Sequence, residues 1–153
     1  MRASRATIFL FETALRSDFL FWAGGKLAPR AYIRGILGTP PDLVAGASPE
    51  EQARLQKVLD EILPVSRRRA GLLNDSNVVS SLVRYDLEKI AAPTLAISTA
   101  DDGYGTFDGA RYTAAHVPNA RFVGYPSGGH MLVGRSAEAS QEIVAFLRAA
   151  AGD

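Results

Sequence analysis

Two short apolar segments separated by a helical stretch most constrain how this chain can fold. Residues 93–98 form a nearly continuous apolar run after a proline, which is the pattern of a parallel strand buried on both faces. A helical pattern over about 107–117 leads through Pro118-Asn119 to a second strand-like segment at 120–125. Strand, helix and strand in this order predict a right-handed βαβ crossover and an α/β fold.

The sequence before Ala92-Pro93 has helical patterning. Ser17 is the expected N-cap of a first helix, and a second helix is expected to end at Gly38. Ser48, with Pro49 and Glu51, predicts a capping box at the start of a third. The chain is therefore expected to divide into a helical region at 1–90 and a βαβα part at 91–153.

Helices are also predicted at both ends of the chain. The apolar residues 7–11 are interpreted as a helix rather than a signal peptide, because Glu12 interrupts the run. The last helix is expected to be capped by Ser136, to bury one apolar stripe and to cover a face of the sheet. The stripe consists of Ile143, Val144 and Leu147.

Composition removes several functional classes. With 17 basic and 16 acidic residues the net charge is +1, and no basic stripe is present, so nucleic acid is not an expected partner. The absence of cysteine excludes disulfides, thiolate metal sites and a cysteine nucleophile, and two distant histidines make a poor ligand set, so no metal or cofactor is expected. No run approaches the roughly 20 apolar residues that span a bilayer, and a cytoplasmic location without membrane contact is expected.

The residues that could carry chemistry follow the two predicted strands. Asp101 and Asp102 come after the first strand, and Gly128-Gly129-His130 comes after the second. Because ligands and catalytic groups gather beyond the carboxyl ends of parallel strands, these two loops are expected to meet. A carboxylate facing a histidine fixes the imidazole tautomer for general-base chemistry, while the alternative is that these residues simply occupy turns.

The same segments resemble a known family. Residues 90–98, Asp101-Asp102, residues 117–120 and Gly128-Gly129-His130 are similar, in this order, to the C-terminal part of α/β-hydrolases. Segments 17–22, 38–41 and 63–67 resemble the helical cap that precedes the late strands of such enzymes.

The resemblance implies roles for particular residues. It implies Asp102 as the catalytic acid, with Asp101 as the less favoured occupant, and His130 as the base. It also implies ester, amide or similar small apolar substrates. Three aromatic residues could line an apolar acyl pocket beneath the cap, although core packing is the favoured explanation and the two roles can coincide. They are Phe19, Phe21 and Trp22.

The sequence departs from the family at the nucleophile. It contains no Gly-x-Ser-x-Gly segment, and the near matches at 46–50 and 134–138 lack the second glycine. A base without a nucleophile has nothing to activate, so the isolated chain is expected to be nearly inactive and to represent a truncated half of an enzyme. Self-association or a complementing chain is expected. The alternatives are a non-catalytic remnant that docks another chain through an open sheet edge, and an unrelated small α/β binding domain.

Two further groups are given non-catalytic interpretations. His116 lies near the end of a predicted helix, where a favourable interaction with the helix C-terminus explains it. The basic cluster at 67–69 is expected to be solvated or paired with carboxylates rather than to bind an anionic substrate.

Overall fold

The computed structural model describes residues 13–152, and the helix expected at 7–11 lies outside them. The described part is mixed α/β, with a helical region followed by a two-stranded parallel sheet and its helices. In chain order the elements are α1 (Asp18–Leu27), α2 (Pro29–Ile36), α3 (Pro41–Ala45), α4 (Pro49–Glu61), α5 (Val65–Ser80), a 3-10 turn (Leu87–Lys89), β1 (Thr94–Thr99), α6 (Thr106–His116), β2 (Ala120–Tyr125) and α7 (Ser136–Ala151).

The predicted βαβ unit is confirmed. β1 and β2 pair in parallel, from Thr94 opposite Ala120 to Thr99 opposite Tyr125, and α6 packs against both strands. A backbone hydrogen bond from Ala100 N to Tyr125 O, at 2.8 Å, extends the pairing beyond the last register pair. The loops that follow the two strands therefore leave the same edge of the sheet side by side.

Two helices of the first half begin at the N-cap residues predicted for them. Ser17 Oγ accepts a hydrogen bond from Leu20 N, and Ser48 Oγ accepts one from Glu51 N, each at 3.3 Å. The reciprocal half of the capping box is absent from the described contacts, because the Glu51 carboxylate binds Arg54 and Ser136 instead. This carboxylate thus joins α4 to the start of α7, which lies 85 residues away.

The buried apolar residues form two small clusters. One joins Leu37, Val44 and Leu55 to Val133, which follows the predicted base by three positions. The other joins Leu15, Phe21 and Val65, with Tyr32 and Ile36 of α2 packed against it. Each fully buried leucine or phenylalanine contributes about 1.5–3 kcal/mol, so the first cluster is a substantial part of what holds the helical region against the loop after β2.

The expectations for α7 are wrong in two respects. The helix begins at Ser136 with Arg135 as its N-cap, and the Ser136 hydroxyl donates to Glu51 Oε1 and Leu132 O rather than capping the helix. The stripe of Ile143, Val144 and Leu147 is between 44% and 58% exposed. In the described part the sheet has two strands of six residues each, which offer too little surface to bury the apolar stripe of a helix of 16 residues.

Candidate functional site

An aspartate and a histidine meet where the two strand-end loops come together. His130 Nδ1 lies 2.9 Å from Asp102 Oδ2. The Asp102 side chain is 4% exposed and that of His130 is 44% exposed, so the carboxylate is enclosed while the imidazole reaches the surface. An ionised carboxylate can only accept, so in the neutral imidazole Nδ1 carries the proton and Nε2 keeps its lone pair. This is the tautomer that a general base requires.

Hydrogen bonds hold the Asp102 carboxylate in its ionised form. Oδ1 accepts from Tyr104 N at 2.8 Å, and Oδ2 accepts from Thr106 Oγ1 as well as from His130. Burial alone would raise the pKa of Asp102, but the hydrogen bonds from Thr106, His130 and Tyr104 N outweigh it and lower the pKa. The carboxylate is therefore negative at neutral pH and able to stabilise an imidazolium ion.

Asp101 has a different partner. Its Oδ1 accepts a hydrogen bond from Gly129 N at 2.8 Å, while Thr99 Oγ1 donates to Gly129 O at 3.0 Å. The structure thus brings Asp102 to His130, and Asp101 to the backbone just before His130. Asp102 therefore orients the imidazole, and Asp101 holds the loop that carries it.

Gly129 is required at the turn before His130. Its φ of +60° lies in the left-handed region that side chains disfavour. A Cβ at this position would lie 2.6 Å from Thr39 Cγ2, a buried side chain of the helical region. The glycine therefore permits both the sharp turn after β2 and the close approach of residues 38–39.

The exposed face of the dyad opens onto a cavity of about 630 Å³. His130, Tyr104 and Thr106 form its polar end, and Asp75 and Ser76 of α5 contribute two more polar groups. The rest of the wall is mostly apolar and comes from the helical region and the segment before it: Leu15, Phe21, Ile36, Ile62, Val65, Leu72 and Val79. A histidine paired with a carboxylate therefore lines a mostly apolar cavity.

The three aromatic residues expected in the pocket are separated by the structure. Phe21 lines the 630 Å³ cavity, whereas Phe19 and Trp22 are 69% and 49% exposed and contribute nothing to its wall. Trp22 lines a second, smaller cavity of about 260 Å³, to whose wall Phe21 also contributes. Only Phe21 keeps a geometric connection to His130.

Sequence reasoning missed the contribution of residues 36–39. Gly38 O accepts hydrogen bonds from Gly103 N at 2.7 Å and from His130 N at 3.1 Å. Thr39 Oγ1 accepts from Met131 N at 3.2 Å and donates to Leu37 O at 2.8 Å. The only available signal was a glycine after a helix, which by itself indicates a helix end and not a partner in a distant loop.

The non-catalytic interpretations agree with the contacts of His116 and with the exposure of Arg67 and Arg68, whereas Arg69 Nε is buried without a carboxylate partner among the described residues. His116 Nδ1 lies 2.7 Å from Tyr112 O within α6, and its ring stacks on Tyr112 at 3.8 Å. Arg67 and Arg68 are exposed, and Arg69 is half-buried with no hydrogen-bond partner for Nε. Within residues 13–152 no three or more His, Asp or Glu side chains are grouped as a metal site would require.

Comparisons with protein-family models, curated proteins and solved structures gave no match to this chain. In the part of the chain that the structure describes, no helix combines the length and apolarity needed to cross a membrane. The class that the fold and the site define is thus a mixed α/β protein with an Asp102–His130 dyad beside an apolar cavity.

Proposed function

We propose that this chain supplies the acid–base half of an α/β-hydrolase-type catalytic triad, with His130 as general base and Asp102 as the carboxylate that orients it. The single observation that carries the proposal is the 2.9 Å contact between His130 Nδ1 and a buried, ionised Asp102, on the wall of an apolar cavity. The resemblance of the two loops to those of α/β-hydrolases agrees with this geometry.

The chemistry assigned to the dyad is proton transfer. His130 Nε2 takes the proton of an attacking hydroxyl group, which forms a bond to the substrate carbonyl carbon. The imidazolium is stabilised by Asp102 and then gives the same proton to the departing alcohol or amine as the carbonyl–heteroatom bond breaks. Water then attacks the carbonyl carbon of the acyl intermediate and gives a proton to His130 Nε2. The imidazolium returns that proton to the nucleophile oxygen as its bond to the acyl group breaks, and the acid is released. Each proton that His130 accepts is returned, so the chain is unchanged after a turnover.

The cavity favours substrates with an apolar acyl group. The side chains of Phe21, Ile36 and Leu72 form no hydrogen bonds, and a hydrocarbon placed against them gains about 25 cal/mol for each Å² removed from water. Tyr104 and Thr106 lie beside His130, where an ester or amide would react. The proposed substrate class is therefore small esters or amides of apolar acids.

The nucleophile must come from a segment outside these 153 residues, because they contain no Gly-x-Ser-x-Gly turn. The proposed working unit is this chain together with a polypeptide that carries such a turn. The test is hydrolysis of 4-nitrophenyl butyrate by the purified chain, by the product of an adjacent gene, and by their mixture.

We expect turnover in the mixture alone, and its loss when the chain carries His130→Gln. His116→Gln is the matched control and should leave turnover unchanged. His130-dependent turnover by the chain alone would place a nucleophile within it and contradict the half-site. Turnover in the mixture that survives His130→Gln would refute the role of the dyad.

A second candidate function is docking of another chain without chemistry. Two observations favour it: β1 has a hydrogen-bonded neighbour on one side only in the described part, and the α7 stripe is exposed. Sedimentation of wild type should then show self-association that Leu147→Glu reduces, while Ser140→Glu, which adds the same charge on a polar position of α7, should not. A monomer at all concentrations would argue against docking.

A further inference from the structure

We propose that Tyr104 is a positioning residue that holds the His130 imidazole against Asp102 and fastens the dyad to the C-terminal end of α2. Any effect of Tyr104 on catalysis rests on the proposed function, but its effect on the orientation of His130 can be measured in the chain alone. Tyr104 acts through other residues and accepts no proton from a substrate.

Tyr104 contacts both members of the dyad. Its ring meets the His130 ring edge to face, with centroids 4.8 Å apart and planes at 84°. Its backbone N–H donates to Asp102 Oδ1 at 2.8 Å. The tyrosine ring therefore limits rotation of the imidazole, and the backbone N–H fixes the carboxylate. Together they restrict the relative motion of His130 Nδ1 and Asp102 Oδ2.

Tyr104 is itself anchored in the helical region. Its hydroxyl donates to Ile36 O, the last residue of α2, at 2.7 Å across 68 positions of sequence. Burial, with a further contribution from the negative Asp102, raises the pKa of Tyr104, so the phenol remains a neutral donor. The bond satisfies a carbonyl at the helix end that has no partner within the helix.

The anchor lies beside the substrate cavity. Ile36 lines that cavity, and two residues further on Gly38 O accepts from both Gly103 N and His130 N. A Cβ on Gly38 would lie 2.8 Å from the Tyr104 ring and 3.1 Å from His130 Cβ, so the contact is tight. A displacement of the end of α2 would thus be transmitted to the imidazole by three hydrogen bonds and a ring contact.

A simpler explanation is that Tyr104 only packs its own loop. The two explanations differ in what happens to His130 when the ring is removed and the fold remains. Tyr104 is 54% exposed and belongs to neither buried cluster, so we expect the fold to tolerate its substitution. A packing residue would then change loop stability alone, whereas a positioning residue would change the tautomer of His130.

The test is the ¹⁵N NMR signal of the two ring nitrogens of His130, recorded in mildly alkaline solution, where imidazole is neutral. Wild type should show one tautomer, with the proton on Nδ1. Tyr104→Leu should show a mixture of the two tautomers, and Tyr104→Phe, which keeps the ring, should recover most of the wild-type pattern. Tyr112→Leu is the matched control, because Tyr112 stacks on His116 and should change that histidine alone.

An unchanged His130 tautomer in Tyr104→Leu would overturn the proposal. So would collapse of the amide spectrum in that variant, because Tyr104 would then maintain the fold rather than position the imidazole. Failure of the hydrolysis assay would refute the proposed function and leave this measurement valid, since it requires no turnover.

Discussion

Each of the two histidines of the chain has an oxygen near Nδ1 and a tyrosine ring against its own ring, but the two oxygens differ in charge. His116 Nδ1 bonds to the carbonyl of Tyr112 in its own helix and stacks on the same residue. His130 Nδ1 bonds to the Asp102 carboxylate of another loop and meets the edge of Tyr104. A neutral carbonyl fixes a ring orientation, whereas a buried carboxylate also stabilises the protonated ring. The charge of the partner, and not the presence of a histidine, separates a candidate site from a helix end.

The largest effect should come from removing that charge. In the complemented enzyme, Asp102→Asn keeps the shape of the carboxylate but favours the wrong imidazole tautomer, and kcat/KM should fall by about 10⁴-fold. Asp101→Asn, which leaves an oxygen to accept from Gly129 N, is the matched control and should cost less than about tenfold. Equal losses in the two variants would mean that the dyad is not formed by Asp102.

A second contrast is between two glycines, one next to His130 and one in the helix of His116. Gly129→Ala should destabilise the chain by about 3 kcal/mol, combining the left-handed φ with overpacking against Thr39. Gly109→Ala in α6, beside open space, should instead stabilise it by about 0.5–1 kcal/mol. Urea unfolding measures both, and a loss below 1 kcal/mol for Gly129→Ala, on the order of the φ cost alone, would contradict the close approach of the two regions.

A smaller effect should follow from removing one hydrogen bond to Asp102. Thr106→Val should lower the free energy of unfolding by about 1.5 kcal/mol at neutral pH, and Thr106→Ser should restore it. The folded pKa of Asp102 is lowered, so its charged-state stabilisation is present above about pH 4 and is lost as the pH falls through the folded pKa. The difference between Thr106→Val and wild type should therefore shrink in acid. A difference independent of pH would show that it does not arise from the carboxylate.

The smallest effect is expected at the other histidine. His116→Gln removes a ring that bonds to and stacks on Tyr112 of its own helix and interacts electrostatically with Glu88, and should change stability by less than about 0.5 kcal/mol in thermal melts. A change above about 1.5 kcal/mol would require a contact for His116 beyond Tyr112.

Local patterns predicted much of the fold. Pro93 and Pro118 precede the two strands, and β1, α6 and β2 lie within about one residue of their predicted ranges. Ser17 and Ser48 cap their helices because the bonds involved join residues three apart. The pairing of His130 with one of two adjacent aspartates followed from the rule that loops meet at the carboxyl edge of a parallel sheet.

Long-range contacts could not be predicted in the same way. Nothing near Ser136 in sequence indicates that its hydroxyl bonds to Glu51, 85 positions earlier. The Tyr104 to Ile36 bond and the Gly38 carbonyl join segments whose patterns describe only their own turns. The exposure of Ile143 depends on how many strands lie beneath α7, which the amphipathic pattern of a helix does not encode.

The most direct test of the central claim is the ¹H NMR signal of the proton on His130 Nδ1. A hydrogen bond of 2.9 Å to an enclosed, ionised carboxylate should slow exchange of this proton and shift it downfield, and Asp102→Ala should remove the signal while the amide spectrum is retained. A proton found on Nε2 in wild type, or a downfield signal that survives Asp102→Ala, would contradict the dyad and with it the proposed function.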